Sequence, residues 1–205
     1  TLLVVSLSTI ITVPLGVATG VYLTETRSKG RSFVRVVIQA MAGLPSVVAG
    51  LFIYSMFIVT GISQYAGWLG AFALVPLMLP TISRVTEESL KLVPQDLRNG
   101  ALGLGASSWK AFFQVTLPAA KSGVVTAILL GVARVVGETA PLLLTVFPIA
   151  ETNFNVFSGG MATLPTYIYR FVALGFDTSI ARAWGAALVL MIVVGILFGF
   201  ARYIS

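Results

Sequence analysis

Apolar residues run through this chain in long blocks, and the polar residues are gathered between them. Five blocks approach the roughly 20 apolar residues needed to cross a bilayer: Leu2 to Leu23, Val36 to Thr60, Trp68 to Arg84, Gly123 to Pro148 and Ala183 to Tyr203. Pro14 and Gly16 predict a kink in the first, and Pro76 and Pro80 lie inside the third. Gly43-Leu44-Pro45-Ser46 interrupts the second. Gly43, Pro45 and Gly50 read either as a broken helix lining a path or as small residues that let helices pack closely. This is an all-α, polytopic transmembrane helical bundle, a single domain over 1–205. Because the chain begins at Thr1 inside a hydrophobic run, we expect a sixth, N-terminal span to be missing.

One stretch breaks the pattern. Thr86 to Pro118 carries Glu87, Glu88, Lys91, Asp96, Arg98 and Lys110. Pro94 suits the first turn of a helix, and Asp96 behind it meets the positive end of the helix dipole. Gly103 and Gly105 are expected to loosen or end that helix. A second amphipathic piece then places Trp109, Phe112 and Phe113 on one side, and Leu117-Pro118 is expected to stop it. Such a loop between membrane spans reads as a docking surface for a soluble partner.

Composition agrees with a membrane protein. Mean hydropathy is +0.98, and 10% of residues are charged, against about 25% in soluble domains. Cys and His are both absent. That removes disulfides, thiol chemistry, the usual proton shuttle and the commonest metal ligand, so no metal site is expected. The net charge of +6 belongs to loops between spans and is not a nucleic-acid footprint.

Orientation follows from Lys and Arg. The segment 25–35 carries Arg27, Lys29, Arg31 and Arg35; the region 84–121 carries Arg84, Lys91, Arg98, Lys110 and Lys121. Residues 61–67 carry none, and 149–182 carries only Arg170 and Arg182. The first two therefore face the cytoplasm, 149–182 faces out, and Arg202 returns to the inside. Trp68, Trp184 and Tyr203 near span ends read as interfacial anchors. Leu164 to Phe171 reads as an outer re-entrant or surface helix, with Tyr167 and Arg170 either in simple surface positions or in contact with an extracytoplasmic protein.

Arg134 and Glu138 stand four apart in the fourth block, a spacing that puts them on one face of a continuous helix. A charge at bilayer depth is costly, so such residues face a cavity or a partner helix. The pair either glues helices together, or Arg134 grips an anion by bidentate hydrogen bonding while Glu138 weakens that grip for release.

The register Asn99-Gly100-Ala101, three residues, Gly105, then Leu117-Pro118 resembles the cytoplasmic coupling loop of permease subunits of ATP-binding-cassette importers. Asn99 and Gly100 stand where that family carries Glu and Ala, so a role needing charge at Asn99 is not implied. GLPSVVAGLF at 43–52, LPTISRVTEESLKLVPQDLR at 79–98, GETAPLLLT at 137–145 and LPTYIYRF at 164–171 are similar to the A-subunit permeases of phosphate importers, over essentially the whole chain. The resemblance implies the type I importer permease fold in a prokaryotic plasma (inner) membrane. It implies coupling to an ATPase through Asn99, Gly100, Ala101, Gly105, Ser107, Trp109, Leu117 and Pro118, and a translocation path touching Arg134, Glu138, Thr139 and Ser46. The implied partners are a second permease subunit of C type, two cytoplasmic ATPase subunits and an extracytoplasmic phosphate-binding protein. No Gly-x-x-x-x-Gly-Lys-Ser/Thr occurs in the chain, so ATP and Mg²⁺ would belong to the ATPase partner and this chain would bind no cofactor. A permease for molybdate, sulfate or phosphonate, and an ion-coupled secondary transporter, are the alternatives. The second is poorly supplied with proton carriers, since Glu138 is the one acid deep in a block.

Overall fold

The computed structural model describes residues 1–26, 28–149 and 153–204. Arg27, counted above in the first basic segment, and residues 150–152 of the outer segment lie outside them. Every regular element among the described residues is helical. Three helices are long and apolar enough to cross a membrane alone: α1 (Leu2–Glu25), α4 (Gly67–Lys91) and α11 (Asp177–Ile204). Two bent pairs raise the number of spans to five if each pair counts as one.

The first bent pair corrects the reading of 25–35 as a loop. Helix α2 (Lys29–Ala42) begins almost directly after α1 and meets α3 (Ser46–Ile53), which continues through a π-helical turn at Tyr54–Val59, at an angle of 101°. Each arm has 14 residues, or about 21 Å at 1.5 Å per residue, too short for a hydrocarbon core of about 30 Å. Val36 to Thr60 is therefore not one straight span. Lys29, Arg31 and Arg35 alternate with apolar residues at helical spacing, so α2 is amphipathic and buries only Ile38. Gly43 and Pro45 make the bend. Gly50 instead serves close packing. A Cβ there would lie 2.6 Å from the Cα of Pro141, so α3 meets the later chain at Pro141 backbone to backbone. The helix is broken at Gly43 and Pro45 and packed closely at Gly50, so the two features fall at different positions.

In the second pair, the segment α6 (Ser108–Ala111), a π-helical turn at Phe112–Thr116 and α7 (Leu117–Ala119) bends by 65° into α8 (Lys121–Val136). The chain breaks again at Gly137 before α9 (Ala140–Thr145). Further along the chain, Thr163 and Thr166 cap α10 (Leu164–Ala173) reciprocally, with Pro165 in its first turn. This is the expected helix at 164–171. Arg170 donates to the Pro148 carbonyl, and Tyr167 stacks on Phe171. Trp68 is half-buried between Phe57 and Phe72, whereas Trp184 and Tyr203 are exposed.

The core sits where α4 meets α1 and α8. Val4, Leu74, Leu77, Met78, Ile82, Val135 and Leu142 are among its buried members. Ser83, Thr12 and Thr145 are buried at membrane depth, each donating to the carbonyl four residues earlier, so their hydroxyls are satisfied inside their own helices. By contrast α11 shows most of its length to its surroundings.

Lys29 and Asn155 are both exposed and sit on opposite sides in the charge-derived orientation. With no native Cys, single substitutions report without background. In whole cells a membrane-impermeant thiol reagent is expected to label Asn155→Cys and leave Lys29→Cys unlabelled; the reverse pattern overturns the orientation.

Candidate functional site

The polar stretch is only partly a loop. Residues 86–91 are the last turns of α4, and Glu87 there is 7% exposed. Burying a carboxylate is tolerable only when it is paired. Lys91 meets it at 2.6 Å from the same helix, and Arg35 of α2 donates to it. Three residues later Pro94 caps α5 (Gln95–Gly103), with Asp96 in the first turn as expected. Arg98 of α5 donates through both terminal nitrogens to the two oxygens of Glu25 at the end of α1, at 2.8 and 2.6 Å. A bidentate fork of this kind fixes orientation as well as distance.

The opposite side of α5 is open. A Cβ built on Gly100, Gly103 or Gly105 would meet nothing within 4 Å. Asn99 and Gly100 are exposed and Ala101 half-buried. Gly105 has φ +86°, a conformation that favours glycine, and it ends the helix. Leu104 beside it is 92% exposed, with Leu97 and Leu102 also uncovered. Ser107 caps the next turn, accepting from the Lys110 backbone N–H at 3.4 Å. Trp109, 73% exposed, lies against Phe113, while Phe112 turns inward onto Leu90 and Ala120. The three aromatics therefore do not share one face. Leu117 and Pro118 do not stop the helix either. Pro118 stands in the first turn of α7, where its missing N–H costs nothing, and the break falls at Ala120. The result is a short helix with small and bare apolar residues outward, tied to the membrane body by one ion pair.

The membrane-buried candidates are arranged differently from the expectation. Helix α8 ends at Val136 with Gly137 as its cap, and Glu138 lies in the connection to α9. Arg134 and Glu138 thus do not share a helix face, because the helix ends between them. Neither belongs to the ion pairs among the described residues, which are Arg35–Glu87, Lys91–Glu87 and Arg98–Glu25. Instead Arg134 is exposed and donates to the hydroxyl of Thr81 on α4 at 3.2 Å. Thr81 is near the middle of α4, so this guanidinium sits at depth. Thr139 occupies the cap position of α9 and Ser46 the first turn of α3; both are half-buried. The structure brings Arg134 to Thr81, and gathers Asn99 with Glu25, Arg31 and Arg98 around one cleft. Sequence reasoning missed Glu25, Arg35, Glu87 and Thr81. The Glu87–Lys91 spacing was a readable signal; the long-range partners had none.

The fold finds counterparts among known proteins. The family model described as "Binding-protein-dependent transport system inner membrane component" matches residues 12–205. The chain belongs to this family. Its curated relatives include the phosphate transport system permease protein PstA 1 of Mycobacterium tuberculosis H37Rv, 43% identical over 195 residues, covering 95% of this chain and 63% of that protein. The PstA of Mycobacterium leprae is 45% identical over 197 residues, covering 94% and 64%. The PstA of Pasteurella multocida is 38% identical over 202 residues, covering 98% and 71%. The chain spans about 64% of the length of the mycobacterial relatives. Among solved structures, an inward-facing MetNI methionine ABC transporter aligns with TM-score 0.79 at 18% identity, covering 98% of this chain and 91% of that one. An amino acid ABC transporter with histidines aligns at TM-score 0.68 and 17% identity, covering 99% and 91%. These place the chain in the type I importer permease fold.

In this inner-membrane component, the Arg98–Glu25 fork is what holds α5 to α1. Breaking it by Glu25→Gln or Arg98→Gln is expected to lower stability by about 1 kcal/mol, since both groups are partly solvated. The swap Glu25→Arg with Arg98→Glu is expected to recover most of that loss. Thermal unfolding of the two singles and the double in detergent checks it; a swap no better than the singles shows the pair is not the tether.

Proposed function

We propose that the chain is a permease subunit of an ATP-driven inorganic phosphate importer and forms half of its translocation path. The observation that carries this reading is the similarity, at 38–45% identity over nearly the whole chain, to proteins named phosphate transport system permease. The site supports it. Arg134 stands at membrane depth with a single hydroxyl as its described partner, leaving most of its five-donor fork for a tetrahedral oxyanion. Because Glu138 lies past the helix end, it does not neutralise Arg134 in this conformation. Release of the anion would then need the α8–α9 connection to move, or relief from elsewhere along the path. Thr139 and Ser46, at the starts of α9 and α3, remain candidates for the same path.

In the complex we propose, the open side of α5 docks into a cleft of a cytoplasmic ATPase subunit. Gly100, Ala101 and Gly105 permit close approach, and Leu104 and Trp109 supply the apolar contact. Asn99, Ser107, Leu117 and Pro118 shape that surface. A second, C-type permease completes the path, two ATPase subunits bind ATP and Mg²⁺, and an extracytoplasmic phosphate-binding protein delivers substrate. This chain would hydrolyse nothing itself and bind no cofactor.

Uptake into vesicles containing the full-length protein and its partner subunits tests the substrate. Phosphate and arsenate are expected to be transported, with sulfate and molybdate excluded. Arg134→Gln is expected to reduce phosphate uptake by about 10- to 100-fold, the equivalent of the roughly 1.5–3 kcal/mol carried by hydrogen bonds to a charged group. Normal uptake in Arg134→Gln removes it from the path. Preferred uptake of molybdate or sulfate favours the other oxyanion permeases, and uptake without ATP favours a secondary carrier.

Docking is tested separately with Leu104→Asp and Gly100→Leu. Both positions are open within this chain, so neither substitution should disturb its fold. Gly105→Leu is a poor probe, because its positive φ strains any side chain regardless of docking. Each variant is expected to enter the membrane normally and to lose the substrate-dependent stimulation of ATP hydrolysis. Full stimulation in both overturns the docking assignment.

A further inference from the structure

A cleft of about 470 Å³ opens beneath the docking helix, where the end of α1, the start of α2, the end of α4 and α5 converge. Arg31, Lys91 and Arg98 line it, with Glu25, Asn99 and Thr116. Two of the three cations already have partners: Arg98 holds both oxygens of Glu25, and Lys91 holds Glu87. Arg31 is in no ion pair among the described residues, and its Nε is buried without an acceptor. Thr116 contributes a second orphan. It is 5% exposed and its hydroxyl has no partner. A buried donor left unpaired costs about 1–3 kcal/mol. The wall of the cleft thus has an excess of positive charge and of hydrogen-bond donors, and its one carboxylate is already engaged.

We infer that this cleft is an oxyanion site on the cytoplasmic side, distinct from the path at Arg134, with Arg31 and Thr116 as its principal ligands. A tetrahedral oxyanion supplies acceptors to Arg31, the Thr116 hydroxyl and the Asn99 amide at once, and compensates the one unpaired charge. Free inorganic phosphate and the phosphate of an anionic lipid headgroup share this chemistry. Arg31 stands in the first turn of amphipathic α2, whose exposed Phe33, Val36 and Val37 suit it to the membrane surface. A headgroup could therefore reach the cleft as readily as a free ion. Either ligand would bind together α1, α2, α4 and α5, the four segments that position the docking helix.

Equilibrium dialysis of labelled inorganic phosphate tests the site in the full-length protein held in nanodiscs of neutral lipid. All variants carry Arg134→Gln, so the transport path cannot contribute. One saturable site is expected in Arg134→Gln. Adding Arg31→Gln is expected to weaken it about tenfold or more, as loss of a charge-assisted contact requires. Thr116→Val is expected to weaken it less, and Arg31→Lys to retain most of it, which guards against a folding defect. Nanodiscs containing phosphatidylglycerol separate the sources. Unchanged phosphate binding in them assigns the site to the free ion, and competitive loss of binding assigns it to the headgroup. No saturable binding in Arg134→Gln with either lipid, or equal binding with Arg31→Gln, overturns the site. The readout needs no transport, so a protein that fails to import phosphate can still pass this test, and the reverse.

Discussion

The close approach of glycines to Ile82 is the contact on which the rest of the bundle depends. Ile82 of α4 is fully buried, with Gly16 of α1 on one side and Gly131 of α8 on the other. A Cβ on Gly16 would stand 2.7 Å from the Ile82 Cγ2, and one on Gly131 would stand 2.8 Å from its Cγ1. One turn along, Gly20 meets Thr86 and the Ser83 carbonyl in the same way. Lipid tails are as apolar as leucine, so burial alone does not drive helices together in a membrane. What remains is dispersion at short range, and that requires small residues at the crossing. The clamp also sets the site. Thr81 neighbours Ile82 and Arg134 follows Gly131 by three residues, so the packing that locks α4 to α8 brings the hydroxyl and the guanidinium together.

The charged residues solve the opposite problem at the end of the bundle where α1, α2, α4 and α5 meet. Here water is available, and long side chains reach across between helix ends without paying the full cost of desolvation. Glu87 is the exception because it is nearly buried, and it accordingly has two cations. The arrangement divides the chain into an apolar bundle held by shape and a polar collar held by charge. Rearranging the collar does not require repacking the bundle.

Helices α1, α4 and α11 were legible from hydropathy as far as their apolar runs extend, but α4 continues through Glu87 to Lys91 and α11 begins at Asp177, outside the runs that marked them. The broken spans were legible as interruptions but not as geometry. Gly43-Leu44-Pro45 marked a break, yet nothing local sets 101° against a mild kink; the angle depends on Gly50 meeting Pro141, some 90 residues away in sequence. The stretch 25–35 looked like a loop because its charges hid a helical alternation with Phe33, Val36 and Val37. The pairing of Arg134 with Glu138 failed for a readable reason. Four-residue spacing means a shared face only if the helix continues, and Gly137 followed by Thr139-Ala140-Pro141 is the pattern of one helix ending and another starting. Within the polar stretch the start and end of α5 were well anticipated, since Pro94, Asp96, Gly103 and Gly105 act through local backbone chemistry, whereas the shared face of Trp109, Phe112 and Phe113 and the stop at Pro118 were not borne out. The tether of α5 to Glu25 was invisible, because Arg98 and Glu25 are far apart in sequence and any acid near the surface could have served.

That tether decides how α5 can communicate with the membrane. Helix α5 continues through residues 104–107 into α6 and packs on the turn at Phe112–Thr116, and two further links join it to the other helices. The connection Leu92-Val93-Pro94 joins it covalently to α4, and the Arg98 fork joins it to the end of α1. A force on its open face therefore reaches α4, which carries Ile82, and α1, which packs against it, and through Ile82 it reaches α8 and Arg134. The covalent route cannot be switched off, but the ionic one can, because its two partners are partly solvated and worth little individually. With the fork intact α5 moves α1 and α4 as one body. With it open, the same force acts on α4 and, through α6 and α7, on α8, and the α1–α4 seam is left to resist. The small-residue packing in the bundle and the Arg98–Glu25 ion pair at its end are thus parts of one mechanical path, in which the weak link is the partly solvated ion pair.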